Sequence, residues 1–533
     1  MIGIAFMLLG AAAAMPCESL TTVKLDNAVI TSAEMVAEGP AAARGGGQGR
    51  AAAAGPRGDA PGTAQPGAGG APARGAAAPQ QARAGGPPAA PAIIPAHCRV
   101  QLDLKPSSDS MIKMEMWLPP VDKWNGKFMG VGNGGFAGSI QGLANDMPQA
   151  LRLGYATAGT DTGHQTQGGE WAVGHPEKMI DFGYRATHEM TLKGKQLVKE
   201  FYDRSAQFSY FKGCSTGGRM ALMEAQRYPD DYDGIIAGSL ANRHIHMWTA
   251  GVARSVDLVR HPEGSISAEQ AAVINKTVMD KCDTLKEGFL NNPKSCAVDF
   301  KALKCTGADN GSSCLTDAQL KTVETYYGGV KNSKGELIFS GQALGNPIGA
   351  LRPNPNGPGG VYDLVKIAHN DANMDWKTFD LDKDMKFLDE KIGYVDAADF
   401  DMSKYKKSGG KLIITHGWAD TGITPENTIW YYEQVLNKMG KNQSDWMRLF
   451  MAPGMGHCGG GPGVNTFDSI GALEKWVEKG VAPETMLGTG QQGALTRPLC
   501  PYPQYAEYNG TGDLKSASSW ACKAPASAPS STK

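Results

Sequence analysis

The sequence predicts an α/β fold, a mostly parallel sheet with helices packed on it, interrupted by one long insertion. Two observations lead there. From Cys98 onward, short β-type runs alternate with stretches of helical periodicity, the pattern of a sheet whose strands are joined by helices. Between about residues 241 and 405 that alternation lapses into loop-rich sequence carrying four cysteines. The chain of 533 residues is also longer than one ordinary domain, so a sheet domain with an inserted part fits its size.

Taken in chain order, residues 1–14 hold an apolar run too short to span a bilayer, with Ala12, Ala13 and Ala14 in an A-x-A-like arrangement. This reads as an export signal, although no Lys or Arg precedes the run. Residues 38–92 are almost entirely Ala, Gly, Pro, Gln and Arg, without an aromatic residue. Such a segment buries too little apolar surface to offset its ordering entropy and is expected to be a disordered insert. KFMGV (127–131), YATAG (155–159), FSYFKG (208–213), GIIAG (234–238), KLIIT (411–415) and RLFMAP (448–453) read as strands. Helical periodicity fits 182–203, 219–228, 425–440 and 467–479, with Thr424 as N-cap and Pro425 in the first turn of the third. The sheet domain is thus assigned to 15–240 and 406–533, and a lid to 241–405.

Charge and cysteine content narrow the function. The 52 basic and 53 acidic side chains nearly cancel, which gives no support to nucleic acid or an anionic membrane as partner and favours a small, roughly neutral ligand. Beyond the N-terminal run no stretch is apolar enough for a transmembrane helix. Ten cysteines agree with an oxidising compartment, so a secreted or periplasmic location is expected. Neither a CxxC pair nor a zinc-type Cys/His spacing occurs, and structural zinc is not expected.

The chemistry lies at the turns after the strands. Gly213-Cys214-Ser215-Thr216-Gly217 fits G-x-S-x-G between a strand and a helix. A nucleophile on so sharp a turn leaves no room for side chains two residues either side, and the helix N-terminus beneath favours a developing oxyanion. KLIIT is followed by a loop carrying Asp420, and RLFMAP by a loop carrying His457. The order Ser, Asp, His is that of α/β-hydrolases. In that reading His457 is the base, Asp420 orients it and Ser215 attacks an ester carbonyl. Thr216 N–H meets the oxyanion together with Gly134 or Gly135, in the glycine-rich loop after KFMGV. The adjacency of Cys214 to Ser215 and of Cys458 to His457 suggests a disulfide between the two cysteines that holds nucleophile and base together. His416, four residues before the acid, is a candidate for lining the substrate pocket.

These residues resemble the tannase and feruloyl esterase family, which includes fungal tannases, type B feruloyl esterases and bacterial MHETases. WNGKFMGVGNGGFAG, YATAGTDTGH, KGCSTGGRMALMEAQRYPDDYDGIIAGSLANR, KLIITHGWADTGITPENT and APGMGHCGGGPG carry the resemblance, from Cys98 to about residue 480. It implies an α/β-hydrolase fold with a large lid between the strand after the nucleophile helix and the strand bearing the acid. It also implies disulfides Cys17–Cys98, Cys214–Cys458, Cys282–Cys296, Cys305–Cys314 and Cys500–Cys522. The implied activity is hydrolysis of small-molecule esters of aromatic acids with no cofactor required for catalysis. Feruloyl or related hydroxycinnamoyl esters come first because Thr216 follows the nucleophile as in CSTGGR, with gallate esters or a terephthalate monoester as alternatives. Family lids commonly carry a calcium loop of the type CDxxDGxxDGxI. Here the stretch after Cys282 is about three residues shorter and lacks the middle aspartate, leaving Asp283 and Glu287 as the candidate ligands of a structural calcium ion that wants six to eight oxygens.

Other residues have plainer readings. His164 and Asp233 are expected to be structural. His244 and His246, at i and i+2, do not face one another on a helix and make a poor metal pair. Trp248 and Trp376 belong to the lid core or stack on an aromatic acyl group. The competing class, a non-catalytic binding protein on the same fold, is disfavoured by the intact Ser, Asp and His, and a peptidase only by the resemblance.

Overall fold

A computed structural model describes residues 15–40, 93–166, 168–306 and 313–525 of the chain. The expected export signal (1–14) and residues 41–92 of the insert lie outside the described residues.

Runs such as Gly234–Gly238, buried at every position, belong to strands covered on both faces, as parallel strands between helices must be. They form a nine-stranded sheet of β1 (Ala28–Val36), β2 (His97–Leu104), β3 (Ile112–Leu118), β4 (Lys127–Val131), β5 (Ala156–Thr160), β6 (Phe208–Cys214), β7 (Gly234–Gly238), β8 (Lys411–Gly417) and β9 (Met447–Ala452). The spatial order is β1-β2-β3-β5-β4-β6-β7-β8-β9. β1, β2, β3 and β5 pair antiparallel, and from β5 to β9 every pairing is parallel. All six strands expected from the apolar runs lie within one or two residues of their observed ends. The antiparallel β1, β2 and β3 were not anticipated.

Helices cover both faces. On one, α1 (Ala186–Tyr202) and α2 (Thr216–Arg227) bury Leu197, Val198, Leu222 and Met223 against the sheet. A π-turn, Asp181–Arg185, leads into α1. Between β7 and β8 the insertion contributes α3 (His244–Arg260), α4 (Ala268–Cys282) and α5 (Asp317–Gly328) with further short helices. It has apolar clusters of its own, one around Ile245, Val252, Leu364 and Leu388 and one around Ile274, Val278, Leu320 and Val323. Ser267/Gln270 and Thr316/Gln319 form capping boxes on α4 and α5, and Gln270 Nε2 donates to Gln319 Oε1 at 3.0 Å, joining the two helix starts. After β8, α6 (Pro425–Met439) starts at Thr424, whose side chain accepts from Glu426 N–H. α7 (Ser469–Lys479) packs Leu473 and Trp476 on the opposite face.

Five disulfides use all ten cysteines in the pairing that the resemblance implies, with Cα–Cα distances of 4.9 to 5.9 Å. No helix among the described residues is long and apolar enough to cross a membrane.

Candidate active site

β6 ends at Cys214 and α2 begins at Thr216, so Ser215 alone makes the turn between them. It does so at φ 65° and ψ −124°, a conformation that non-glycine residues rarely adopt. The neighbouring glycines are required by contact: a Cβ on Gly213 would lie 2.3 Å from Gly217 O, and one on Gly217 would lie 2.9 Å from Asn133 O. Three backbone segments therefore meet at this turn, where Gly217 N–H of α2 donates to Asn133 O at 2.5 Å and Thr216 N–H, the first of the helix, makes no bond among the described residues.

Asp420, on the loop after β8, is completely buried. Its Oδ1 accepts the N–H groups of Gly422 and Ile423 at 2.8 and 2.9 Å. Its Oδ2 lies 2.8 Å from His457 Nδ1. Burial opposes the charged form, yet the bonds from His416 and His457 outweigh it and hold the carboxyl well below the usual carboxylate range. Because Asp420 is an ionised acceptor, His457 Nδ1 is the donor, which leaves Nε2 on the exposed side of the ring to take a proton. The Cys214–Cys458 bridge, with Cα atoms 5.9 Å apart across a sequence separation of 244, fastens the residue before Ser215 to the residue after His457.

Of the two glycines expected as oxyanion donors, the structure separates one from the other. Gly134 N–H already donates to Gln141 Oε1 at 2.9 Å. Gly134 is therefore corrected from donor to brace. Gly135, at φ 59°, makes no backbone N–H bond among the described residues, and its carbonyl accepts the Thr216 hydroxyl at 2.7 Å, which sets the loop against α2. Gln141 also donates to Gly134 O and Ala137 O at 3.0 and 3.2 Å. Its role was not visible in sequence.

His416 is the second correction. It is fully buried on β8, with no surface open to solvent. Nε2 lies 3.1 Å from both Asp420 Oδ2 and Ile423 O, two acceptors, so it carries a proton, and Nδ1 lies 2.7 Å from Thr428 Oγ1 on α6. His416 thus braces the acid from behind, between Asp420 and Thr428. We expect His416→Ala to lower kcat about tenfold or more at little change in KM and to destabilise the fold by about 2–4 kcal/mol, since the buried Asp420 loses a charge-assisted bond. Steady-state kinetics and denaturant unfolding check this; a rise in KM with kcat intact would return His416 to the pocket wall.

Arg219 was also missed. It is fully buried on α2, and its guanidinium donates to Phe182 O, Gly183 O and Val395 O at 2.9, 2.7 and 3.0 Å, tying the nucleophile helix to the π-turn and to the lid. Burial lowers its pKa to about 10. His164 stacks on Trp171 at 3.7 Å, with its pKa lowered by burial to about 4, and Asp233 accepts Ser209 N–H at 2.7 Å. His246 is bonded to Asp396 at 2.8 Å, while His244 packs on Trp248 and Phe136. Trp248 is half-buried and meets Phe136, the neighbour of Gly135, edge-on at 4.4 Å, whereas Trp376 packs within the lid. On the lid side, Asn346 Nδ2 donates to Asp420 O at 2.9 Å.

The calcium expectation fails on its donor set. Both oxygens of Asp283 are taken by backbone, accepting Glu287 N–H at 3.0 Å and Gly288 N–H at 2.8 Å. Both oxygens of Glu287 face the fully buried guanidinium of Arg497 at 2.8 and 3.1 Å. Arg497 also donates to Leu514 O and Asn291 Oδ1 and stacks on Trp520 at 3.4 Å. A cationic side chain thus stands where Glu287 would meet a metal, and Asp283 and Glu287 do not fit calcium. Arg497→Met should cost about 3–5 kcal/mol because it strands a buried carboxylate. The melting temperature of the unaltered protein should be the same in EDTA and in millimolar calcium; a saturable rise with calcium would reverse this reading.

The comparisons with known proteins agree with this geometry. Residues 98–523 match the family described as tannase and feruloyl esterase. A probable feruloyl esterase B of Aspergillus niger is 32% identical over 456 residues, covering 80% of this chain and 86% of its own, and an uncharacterized esterase of Xanthomonas campestris is 33% identical over 492 residues, covering 80% and 84%. The crystal structure of feruloyl esterase B from Aspergillus oryzae superposes with a TM-score of 0.78 at 27% identity, covering 95% of this chain and 99% of that one. A tannin acyl hydrolase of Aspergillus niger, at TM-score 0.68 and 22% identity over 81% and 87% of the two chains, shares the fold. With its α/β sheet, inserted segment and five bridges in place, the chain belongs to the tannase and feruloyl esterase family and is a carboxylic ester hydrolase.

Proposed function

We propose that the chain hydrolyses feruloyl and related hydroxycinnamoyl esters through an acyl-enzyme on Ser215. The observation that carries this is a serine in a strained turn at a helix N-terminus, disulfide-tied to a histidine whose far nitrogen is bonded to a buried, ionised aspartate. In the first half-reaction His457 Nε2 accepts the Ser215 proton as Oγ attacks the ester carbonyl. Thr216 N–H and Gly135 N–H meet the oxyanion. Collapse expels the alcohol, which takes the proton back from His457. In the second half-reaction water attacks the acyl group along the same route, releasing the aromatic acid and restoring Ser215.

Support for a hydroxycinnamate comes from the relatives named feruloyl esterase B and from Trp248, whose ring stands beside the oxyanion loop where an aromatic acyl group would lie. Ten cysteines all in disulfides support a secreted or periplasmic location. Purified protein offered methyl ferulate, methyl gallate and mono(2-hydroxyethyl) terephthalate should give the highest kcat/KM on methyl ferulate. A preference for either of the others would move the substrate assignment, and no hydrolysis of any would end the esterase reading.

A further inference from the structure

A carboxyl group without a partner is buried at the far end of the nucleophile helix. Glu224, in the last turn of α2, is fully buried, and neither of its oxygens meets a hydrogen-bond donor among the described residues. A polar group left so is costly, and its oxygens call for something to bind. His188 on α1 and Asp231, in the loop that leads into β7, bring a ring nitrogen and a carboxylate oxygen to it, and the three ligand atoms lie within 4.8 Å of one another. His188 Nδ1 is 2.6 Å from Asp231 Oδ2, and its ring stacks on Tyr228 at 3.6 Å, which holds the imidazole in place. Asp231 N–H donates to Tyr228 O at 2.9 Å and so fixes the turn that presents the carboxylate. Lys195 is the cation facing Glu224, yet it donates to Asp231 O, while four carboxylates, Asp231, Asp233, Glu224 and Asp230, act on it. The cluster is therefore short of positive charge. Burial and the facing Asp231 raise the Glu224 carboxyl well above its usual range, so a proton sits there when no metal does.

We propose that His188, Glu224 and Asp231 bind a zinc ion that ties the C-terminal end of the nucleophile helix to α1 and to the loop before β7. One imidazole and two carboxylates suit zinc, whereas calcium and magnesium take oxygen ligands. A tetrahedral ion with bonds of about 2.0–2.2 Å holds its ligand atoms roughly 3.3 Å apart, so the His188–Asp231 pair opens slightly and Glu224 closes in by no more than about 1.5 Å. Binding displaces the proton between Nδ1 and Oδ2 and the proton on Glu224. The fourth position falls to water on the side of His188, whose side chain is partly exposed. Along α2, at about 1.5 Å per residue, Glu224 stands about 13 Å from Ser215, so the ion is structural and takes no part in acyl transfer. The set holds no cysteine and draws on three elements, which is why no zinc spacing marks it in the sequence.

The test uses the full chain stripped with EDTA and dialysed, the state in which the calcium comparison above is also made. Zinc should raise the melting temperature saturably, with one ion per chain by titration calorimetry and protons released on binding, and calcium and magnesium should do neither. Glu224→Gln keeps the shape of the protonated acid, so the metal-free variant should melt as the unaltered protein does. It should weaken zinc at least about a hundredfold, since loss of an outer-shell partner alone costs about 10- to 100-fold. His188→Gln, at a partly exposed position that tolerates substitution, should weaken zinc comparably. The exposed His261→Gln controls for adventitious surface binding and should leave the affinity unaltered. Cobalt in place of zinc should show the visible absorption of a four-coordinate ion, and Glu224→Gln should abolish it. No zinc-dependent shift, or zinc binding undiminished in both Glu224→Gln and His188→Gln, overturns the proposal and leaves a carboxyl pair that shares a proton. None of these readouts needs turnover, so the esterase reading stands or falls separately.

Discussion

Ser215→Ala should lower kcat on methyl ferulate by about 10⁴–10⁶-fold and leave the melting temperature nearly unchanged. The loss is this large because serine and histidine act as a unit: once the attacking oxygen is gone, His457 has no proton to take, and what persists is the contribution of Thr216 and Gly135 to any water that attacks directly. The fold should not suffer, since no side-chain hydrogen bond of Ser215 holds the turn together; its carbonyl and N–H, bonded to Arg219 N–H and Gly238 O, do that and are retained in alanine. His457→Ala should fall in the same range, and the double variant little further. Stopped-flow and steady-state assays on the three proteins decide the matter. Turnover in Ser215→Ala comparable with the unaltered enzyme would require a different nucleophile and would dismantle the mechanism.

The second large effect is expected from Cys214→Ala/Cys458→Ala. By loop-closure entropy a bridge spanning a separation of 244 restrains the unfolded chain by about 5 kcal/mol, an upper figure because other bridges already restrict parts of that loop. Catalysis should fall further than stability alone explains. Cys458 lies at φ 59° in a run of glycines, Gly459 to Gly461, that are themselves at positive φ, so without the bridge His457 is held by its bond to Asp420, the turn from Gly456 N–H to Gly460 O, and the bonds at the base of the loop from Ala419 N–H to Met455 O and from Gly463 N–H to Gly454 O. A misplacement of about 1 Å between nucleophile and base is enough for a hundredfold loss. The expected result is a folded double variant with kcat reduced about 10²-fold or more and KM little altered. Full activity in that variant would show that packing alone assembles the pair.

The parallel strands were legible because burial on both faces leaves an uninterrupted apolar run, as in Gly234–Gly238 and Lys411–Gly417. β3 was not, although Ile112-Lys113-Met114-Glu115-Met116 alternates as a strand does, because only continuous apolar runs were read as strands. Lys113 is paired with Asp103, and Glu115 with Arg99, both across to β2, so the charges are accommodated by a partner strand that only the fold supplies. At the site, Ser215, Asp420 and His457 could be read from turn chemistry and chain order, and two of them were marked by an adjoining cysteine. His416 was misread for a physical reason: in sequence it is a histidine close to the acid, and its inward direction is set by Thr428, twelve residues on and in the next helix. Gln141 bracing Gly134, Arg219 reaching Val395 and Arg497 pairing with Glu287 share that origin. Each is a long polar side chain whose partner comes from another part of the chain, and spacing carries no trace of such a pairing.

The 244-residue bridge has an implication for biosynthesis. Cys214 emerges from the ribosome long before Cys458, and in between come Cys282, Cys296, Cys305 and Cys314, whose native partners are only 14 and 9 residues apart. Oxidation in order of synthesis would favour those short local loops, with the widely spaced Cys214–Cys458 pair closing after them. A copy retained among cellular reductants would carry every catalytic group and turn over about a hundredfold more slowly, the loss expected of Cys214→Ala/Cys458→Ala.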